Sequence, residues 1–164
     1  LRAVTDLIDE DTPIPAVKEF DLVKHYVYMQ QQRFGDDLHV EYDIEDDDFV
    51  VPAFAVQTTV ENAITHGIRG KEEMEDSLIA VRSYLENGAE KWHVIEVTDN
   101  GTGFDPEESE KENTGSHSGI QATRERLMMM CGATYSIESV IGTGTKVTIR
   151  IPYQENEAAS VSQI

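Results

Sequence analysis

The segment Asp99-Asn100-Gly101-Thr102-Gly103 places a carboxylate and two glycines directly after an apolar run typical of a β-strand. A carboxylate at a strand end can accept a hydrogen bond from an exocyclic amine such as that of adenine, and two glycines let the backbone approach a flat ring. Alone the pattern is weak, because acidic turns of this type are common. It is compatible with a simple turn or with one wall of a site for an amine-bearing ring.

A second pair of polar residues lies four positions apart on a segment with helical spacing. Asn62 and His66 would share one helix face and so offer an amide oxygen and an imidazole to one cavity. Oxygen ligands together with a polyphosphate suit Mg²⁺, which retains several waters and takes few protein ligands. As isolated residues, a capping Asn and a hydrogen-bonded His would be the more common explanation.

Two glycine-rich segments complete the set. Gly115, His117 and Gly119 stand at the end of a polar stretch and the start of a helix, where backbone N–H groups and the helix dipole favour phosphates. Further on, Gly142-Thr143-Gly144-Thr145 forms a turn signal between two apolar runs. Each segment alone is common in proteins of many kinds.

The elements that must position these residues follow from hydrophobic periodicity and breaker residues. Residues 105–118 show no apolar period and are predicted to form a mobile loop. Met128 to Met130 are predicted to fill the core and to pack against this loop. The predicted helices span 16–34, 52–67 and 120–131, and the predicted strands span 38–44, 77–86, 91–98, 135–140 and 146–151. This order predicts an α+β two-layer sandwich with helices on one face of a mixed, mostly antiparallel sheet.

Composition narrows the classes of function. The 164 residues carry 13 Lys and Arg against 32 Asp and Glu, a formal net charge of -19, which argues against nucleic acid or an anionic membrane as a partner. One cysteine, Cys131, excludes an internal disulfide and favours a reducing compartment. No run reaches the ~20 apolar residues of a membrane span. One domain is expected at this length.

Taken in order, the four segments resemble the N, G1, G2 and G3 elements of the ATP-binding domain shared by histidine kinases, gyrase and MutL. The flanking residues sharpen the resemblance to the LytS/YesM class of sensor histidine kinases. They include Tyr28 to Gly35 before the first strand, Val51-Pro52 before the N element, and Arg124-Glu125-Arg126-Leu127 after G2. The resemblance covers roughly residues 14–152 and implies the Bergerat, or GHKL, fold.

The resemblance also implies roles for individual residues. Asn62 would hold Mg²⁺ between the phosphates of ATP, with His66 beside the nucleotide. Asp99 would accept the adenine amine. The remaining implied ATP-binding residues are Gly101 and Gly103 at the floor of the adenine pocket, Gly115, His117 and Gly119 in the lid over the phosphates, and Thr145 near Asp99.

The chain departs from the family pattern at several positions. Thr65 stands where the class usually has a phosphate-neutralising Lys, and Arg69, Lys71 or Arg124 are open as substitutes. His117 replaces the second glycine of G2, and Ala122 stands where Asn is common. Weaker nucleotide binding is therefore expected.

Two further positions bear on the type of reaction. The hydrolases of the family place a general-base Glu four residues before the N-element Asn, but here that residue is Thr58, and Glu61 points about 100° away around a helix. Phosphoryl transfer to a histidine is therefore favoured over hydrolysis. The acceptor motif of the class is absent, and His25 is a poor candidate, so the fragment is expected to bind ATP but not to autophosphorylate alone.

The sequence thus predicts the ATP-binding catalytic domain of a two-component sensor histidine kinase that acts with Mg²⁺. Its rivals are a degenerate, non-catalytic GHKL interaction module and a self-contained ATPase. Residues 1–12 are expected to be a linker from an absent dimerisation unit, 13–153 the catalytic domain, and 154–164 a disordered tail. The expected partners are that dimerisation and phosphoacceptor domain and a response regulator, in a homodimeric membrane-bound receptor with this domain in the cytoplasm.

Overall fold

A computed structural model of the chain describes residues 11–71, 76–111 and 118–155. The elements are β1 (Pro13–Pro15), α1 (Ala16–Phe34), a 3-10 turn (Gly35–Asp37), β2 (Leu38–Ile44), β3 (Val50–Pro52), α2 (Ala55–Asn62), a π-helical turn (Ala63–Ile68), β4 (Ser77–Asn87), β5 (Lys91–Asp99), α3 (Pro106–Lys111), α4 (Ser118–Cys131), β6 (Thr134–Val140) and β7 (Gly144–Pro152).

The main sheet has five strands in the order β2-β4-β5-β7-β6. β2 and β4 are parallel and are joined by a crossover through α2, whereas the other neighbours are antiparallel. In this register Asp99, the last residue of β5, lies opposite Thr145 at the start of β7. The predicted α+β class, with a mixed and mostly antiparallel sheet, is confirmed.

The hydrophobic core lies between the helices and one face of this sheet. α1 buries Ala16, Phe20, Val23 and Val27, which recur at the spacing of one helix face. The inner face of the sheet contributes residues that lie side by side across the strands. These include Val81, Val97 and Val147.

The segment before α2 differs from its prediction. Pro52 was predicted as the first residue of a continuous helix to residue 67, but it ends β3, which pairs with β1 in a small two-stranded sheet. Phe54 then adopts a left-handed conformation with φ of 67°, and α2 begins at Ala55. The helical segment is also not uniform, because residues from Ala63 onward form a π-helical turn. Pro52 fits a strand end because β1 and β3 form only a two-stranded sheet.

The amino end of α2 is capped by a side chain from another helix. Glu19 of α1 is fully buried, and its carboxylate accepts hydrogen bonds from the backbone N–H groups of Phe54 (2.9 Å), Val56 (3.0 Å) and Gln57 (3.1 Å). These are the donors that a helix terminus leaves unpaired. Burial raises the pKa of Glu19, whereas the three N–H groups and the charge of Arg126 lower it in part.

Glu19→Ala should lower the free energy of unfolding by about 3 kcal/mol, because it leaves several buried N–H groups without an acceptor. Urea denaturation measures the loss. The matched control is Asp21→Ala, an exposed carboxylate on the same helix, which should change stability by less than about 0.5 kcal/mol. Equal stabilities for the two variants would show that the cap contributes nothing.

Two expectations for the second half of the chain were wrong. Residues 106–111 of the predicted loop form α3, whose start is favoured by Pro106 and by the Asp105 carboxylate, which accepts the Glu107 N–H at 2.9 Å. Met128 and Met129 were predicted to fill the core but are 55% and 85% exposed. Residues 112–117 of the predicted loop lie outside the described residues.

The far end of the sheet carries a separate cluster of polar and aromatic groups. His93 is buried between the rings of Phe49 and Tyr153, and its Nδ1 lies 2.6 Å from an Asp46 carboxylate oxygen. The His93 Nε2 accepts a hydrogen bond from the backbone N–H of Gln154. The Gln154 side-chain amide in turn accepts from the Val50 N–H and donates to the Val50 carbonyl oxygen. Gln154 is therefore fastened to the domain, although the predicted tail begins there. Residues 1–10 and 156–164 lie outside the described residues.

Candidate functional site

A cavity of about 480 Å³ opens between α2, its π-helical extension and the edge of the sheet where β5 ends. α3, α4 and the turn between β6 and β7 close its other sides. It is lined by Thr59, Asn62, Ala63, His66, Gly67, Val97, Asp99, Thr102, Gly103, Phe104, Asp105, Glu108, Ile120, Tyr135, Ile137, Ile141, Thr145 and Val147. Most of these walls are apolar, with a few polar groups, as in small-molecule sites generally.

Asp99 provides the buried carboxylate of this cavity. Its Oδ1 accepts the Gly101 N–H at 2.8 Å, and the backbone N–H of Thr145 also donates to the carboxylate. Burial raises the pKa of Asp99 above its ordinary value of 3.8, while these two N–H groups and the charge of Lys71 lower it in part. The carboxylate is thus fixed in place and retains capacity to accept a hydrogen bond from a ligand.

Close backbone packing at Gly101 sets the position of Asp99 against the helix. A Cβ added at Gly101 would overlap the backbone of Gly67, which belongs to the π-helical turn. The Thr102 N–H also donates to the Gly67 carbonyl oxygen at 3.2 Å. A side chain at position 101 would separate the turn from the helix, so the glycine is required by this contact.

Thr145 is held by a hydroxyl network on the opposite wall. Its Oγ1 lies 2.7 Å from the Ser139 Oγ, which also accepts the backbone N–H of Phe104 at 2.9 Å. Ser139 therefore joins three segments at the cavity: β6, β7 and the chain that follows the Gly101 turn. These hydrogen bonds fix the position of Thr145 beside Asp99.

Asn62 ends α2 and His66 lies in the π-helical turn that follows it, and both residues line the cavity. Such turns widen a helix locally and are frequent at functional sites. Asn62 is half-buried, and its side chain has no hydrogen-bonding partner within the described residues. His66 is exposed at the rim. Thr65 is exposed and does not line the cavity.

No carboxylate of α2 reaches the cavity. Thr58, which occupies the position of the hydrolases' general base, is half-buried. The Glu61 carboxylate accepts a hydrogen bond from the Gln57 side-chain amide at 3.0 Å and is not among the cavity-lining groups. The structure therefore gives α2 no group that could activate water in the way a general-base Glu would.

The cavity brings together most of the predicted site residues. Those lining it are Asn62, His66, Asp99, Gly103 and Thr145, with Gly101 packed beside Asp99. Gly119 is exposed in the first turn of α4, and a Cβ there would meet nothing within 4 Å. Gly115 and His117 lie outside the described residues, so their roles stay predictions.

Several cavity residues were not foreseen from the sequence. Thr59, Phe104, Tyr135 and Ile141 form walls, and Asp105 and Glu108 add carboxylates from the start of α3. Thr59 and Tyr135 are 76 positions apart, yet their hydroxyl oxygens lie 3.4 Å from each other. Only the pairing of β6 at the sheet edge brings them together, and no local pattern reveals that.

The arrangement suits a flat heteroaromatic ring that carries an exocyclic amine. The ring would lie between apolar walls, with its amine directed at Asp99. Asn62 lies five residues before Gly67, which abuts Asp99, so its backbone position is more than one helical turn from this contact. A polar extension of the ring could follow the helix toward Asn62.

Comparison with known proteins places this fold and site in a family. Residues 52–155 match the family described as "Histidine kinase-, DNA gyrase B-, and HSP90-like ATPase". The match covers more than half of the chain, and the chain belongs to this family.

Its relatives identify the class within the family. Sensor histidine kinase YpdA of Escherichia coli is 31% identical over 161 residues, which cover 93% of this chain and 27% of that protein. Sensor protein LytS of Staphylococcus saprophyticus is 29% identical over 154 residues, which cover 88% of this chain and 25% of that protein. The domain is thus the ATP-binding domain of the LytS-like sensor histidine kinases, and it spans about a quarter of these relatives.

Solved structures agree in fold. The histidine kinase domain of a blue-light activated histidine kinase from Erythrobacter litoralis EL346 superposes with a TM-score of 0.60 at 20% identity, over 88% of this chain and 63% of that one. The catalytic domain of histidine kinase ThkA superposes with a TM-score of 0.61 at 16% identity, over 86% of this chain and 94% of that one.

In the part of the chain that the structure describes, no helix is both long and apolar enough to span a membrane.

Proposed function

We propose that this domain binds Mg-ATP and presents the γ-phosphate to a histidine outside the cavity, as the catalytic part of a sensor histidine kinase. The observation that carries the proposal is the buried Asp99 carboxylate in an apolar cavity that is also lined by Asn62, whose amide has no hydrogen-bonding partner within the described residues. Asp99 would accept the adenine amine, and Gly101, Gly103 and Thr145 would define the ring's position. His66 would flank the nucleotide at the rim.

The chemistry of the donor set fits Mg²⁺. The Asn62 amide oxygen is a hard ligand without a partner in the described chain, and no cluster of three or more carboxylate, imidazole or thiol groups competes for a metal there. Asn62 would supply the protein ligand, with phosphate and water oxygens as the rest. When bound, the ion neutralises phosphate charge during transfer.

The residues of the site favour transfer over hydrolysis. In the transfer, the bond between the γ-phosphorus and the bridging oxygen breaks as a bond to an imidazole nitrogen forms, and ADP leaves. Positioning and charge neutralisation supply most of such catalysis, so no general base on α2 is needed. Ile137 and Val147 give the cavity apolar walls, which would limit the access of water to a bound ring.

The acceptor histidine is proposed to lie outside this chain. His93 is buried and bound to Asp46, and His25 is exposed on α1 with its Nδ1 2.8 Å from the Asp21 carbonyl oxygen. Neither residue lines the cavity. A dimerisation domain of the same protein would provide the acceptor. The phosphoryl group would pass to a response regulator, the partner with which ThkA was solved in complex.

Incubation of the chain with γ-labelled ATP tests this proposal. We expect no label on the chain alone and label on the acceptor histidine when the remaining kinase polypeptide is supplied. Release of phosphate by the chain alone, unchanged in Thr58→Ala, would identify a self-contained ATPase instead. ATP binding without transfer to the supplied acceptor would favour the non-catalytic module.

Removal of Mg²⁺ should lower ATP affinity at least about tenfold, ~1.4 kcal/mol, because the formal charge of -19 and the cavity carboxylates oppose a polyphosphate. Calorimetric titration with Mg²⁺ and then with EDTA measures the change. Adenosine, which has no phosphate, is the control and should bind equally in both buffers. Equal ATP affinities would show that protein cations alone neutralise the phosphates.

A further inference from the structure

The site raises a problem of charge that its lining does not solve. Asp99, Asp105 and Glu108 are carboxylates on the cavity walls, and Thr65 stands where the class carries a lysine. Among the described residues that line the cavity, none is a Lys or Arg. A polyphosphate bound here needs a cation nearby, and the candidates from the sequence are Arg69, Lys71 and Arg124.

Two of these candidates lie in unsuitable places. Arg69 is exposed, and its guanidinium carbon lies 5.2 Å from the centre of the Phe34 ring at the end of α1. Lys71 acts on Asp99, whose pKa its charge lowers. Its charge therefore acts on the carboxylate that would receive the ring amine.

Arg124 lies at the Asn62 side. Its guanidinium carbon is 5.7 Å from the centre of the Tyr135 ring, and Tyr135 is a cavity wall. The Tyr135 hydroxyl lies 3.4 Å from that of Thr59, three residues before Asn62 and so farther from Gly67. Arg124 also follows Ile120, another lining residue, by one helical turn on the same face of α4.

The sheet register gives an independent estimate of the distance between Tyr135, which Arg124 contacts, and Asp99. Tyr135 lies opposite Ile149, whereas Asp99 lies opposite Thr145 on the same strand. Four residues of β7 therefore separate the two levels, which is about 13 Å along the strand. Arg124 thus lies well away from the ring-amine position. The phosphate chain of a nucleotide would extend toward Arg124.

The guanidinium of Arg124 also has unused hydrogen-bonding capacity. Its Nε is buried without a partner within the described residues, and no carboxylate there forms an ion pair with it. A buried donor left unpaired is costly and calls for an explanation. Arg126, two residues later, differs because its Nη2 donates to the Ala53 carbonyl oxygen at 2.8 Å.

From this placement we infer that Arg124 is the phosphate-binding cation of the site and takes the role of the lysine missing at position 65. The inference rests on the proposed nucleotide-binding function. Arg124 would leave the Tyr135 ring to contact the β- and γ-phosphates, which are matched by the donors of a guanidinium. The contact would be absent with adenosine.

The test is calorimetric titration of the 164-residue chain with Mg-ATP and with adenosine. Arg124→Gln should weaken ATP binding at least about tenfold and leave adenosine binding within about twofold of wild type. Arg124→Lys should recover part of the loss, because it restores the charge. The matched control Arg69→Gln, which removes an exposed guanidinium beside Phe34, should keep ATP affinity within about threefold.

The other outcomes are decisive as well. Equal losses of ATP and adenosine affinity in Arg124→Gln would assign Arg124 a structural role through Tyr135 and overturn the inference. An unchanged ATP affinity, or a larger loss in the Arg69→Gln control, would also overturn it while leaving the proposed function intact. A wild-type chain that binds neither ligand would reject the proposed function and this assignment together.

Discussion

Asp99→Asn should weaken binding of Mg-ATP by about 10- to 100-fold, because it replaces a buried, charged acceptor with an amide that directs a donor at the adenine amine. Isothermal titration calorimetry of the two proteins measures this. The effect should appear with adenosine as well, since it concerns the ring and not the phosphates. Equal affinities would reject Asp99 as the adenine-binding residue.

The same substitution should not cost stability, which separates a binding defect from misfolding. Burial raises the pKa of Asp99 above 3.8, so the stabilising contribution of its protonated form is complete below that pH and is lost as the pH rises through the folded-state pKa. Asparagine carries no charge at any pH. Asp99→Asn should therefore be at least as stable as wild type at pH 7, and this difference should shrink below pH 3.8. A variant that is clearly less stable at pH 7 would contradict the assigned cost of burial.

Gly144→Ala should lower the free energy of unfolding by about 3 kcal/mol or more and weaken ATP binding. Gly144 has a φ of 134°, and a Cβ there would overlap the backbone carbonyl of Asp99. Neither the backbone conformation of Gly144 nor the space around it accommodates a side chain, so in the variant β7 must move away from the end of β5. Because Asp99 and Thr145 face each other across this contact, the ring end of the cavity would widen.

Gly142→Ala provides the matched control for this prediction. Gly142 lies in the same turn with a φ of 82°, but a Cβ there would meet nothing within 4 Å. Only the backbone conformation should cost free energy, about 1 kcal/mol, and ATP affinity should be unchanged. Urea denaturation of both variants compares them directly. Similar losses would show that the close approach to Asp99 is unimportant.

The sequence predicts those features of the site that depend on local pattern. The strand before Asp99, the turn at Gly101 and the strand that carries Thr145 all follow from alternation and glycine positions. Their meeting in one cavity follows from the ordered family resemblance, because no spacing rule predicts that β5 and β7 are neighbours. The α+β class could be predicted from the order of helices and strands along the chain.

Other features depend on contacts between distant segments and could not be predicted in this way. Glu19 is one of several charged residues on α1, and only the packing of that helix against the start of α2 makes it a cap. Pro52 fits the first turn of a helix as well as a strand end, and its pairing with Pro13 decides between them. Tyr135 is an alternating strand residue whose place in the cavity depends on the sheet edge.

The measurement that most directly tests the central claim is NMR titration of the chain with Mg-ATP, read at individual backbone amides. Nucleotide bound in the cavity should shift the signals of Gly67, Gly101 and Thr145. The signals of His93 and Gln154 at the far end of the sheet should not change. Binding that leaves the first set unmoved, or no binding at all, would contradict the assignment of this cavity as the ATP site.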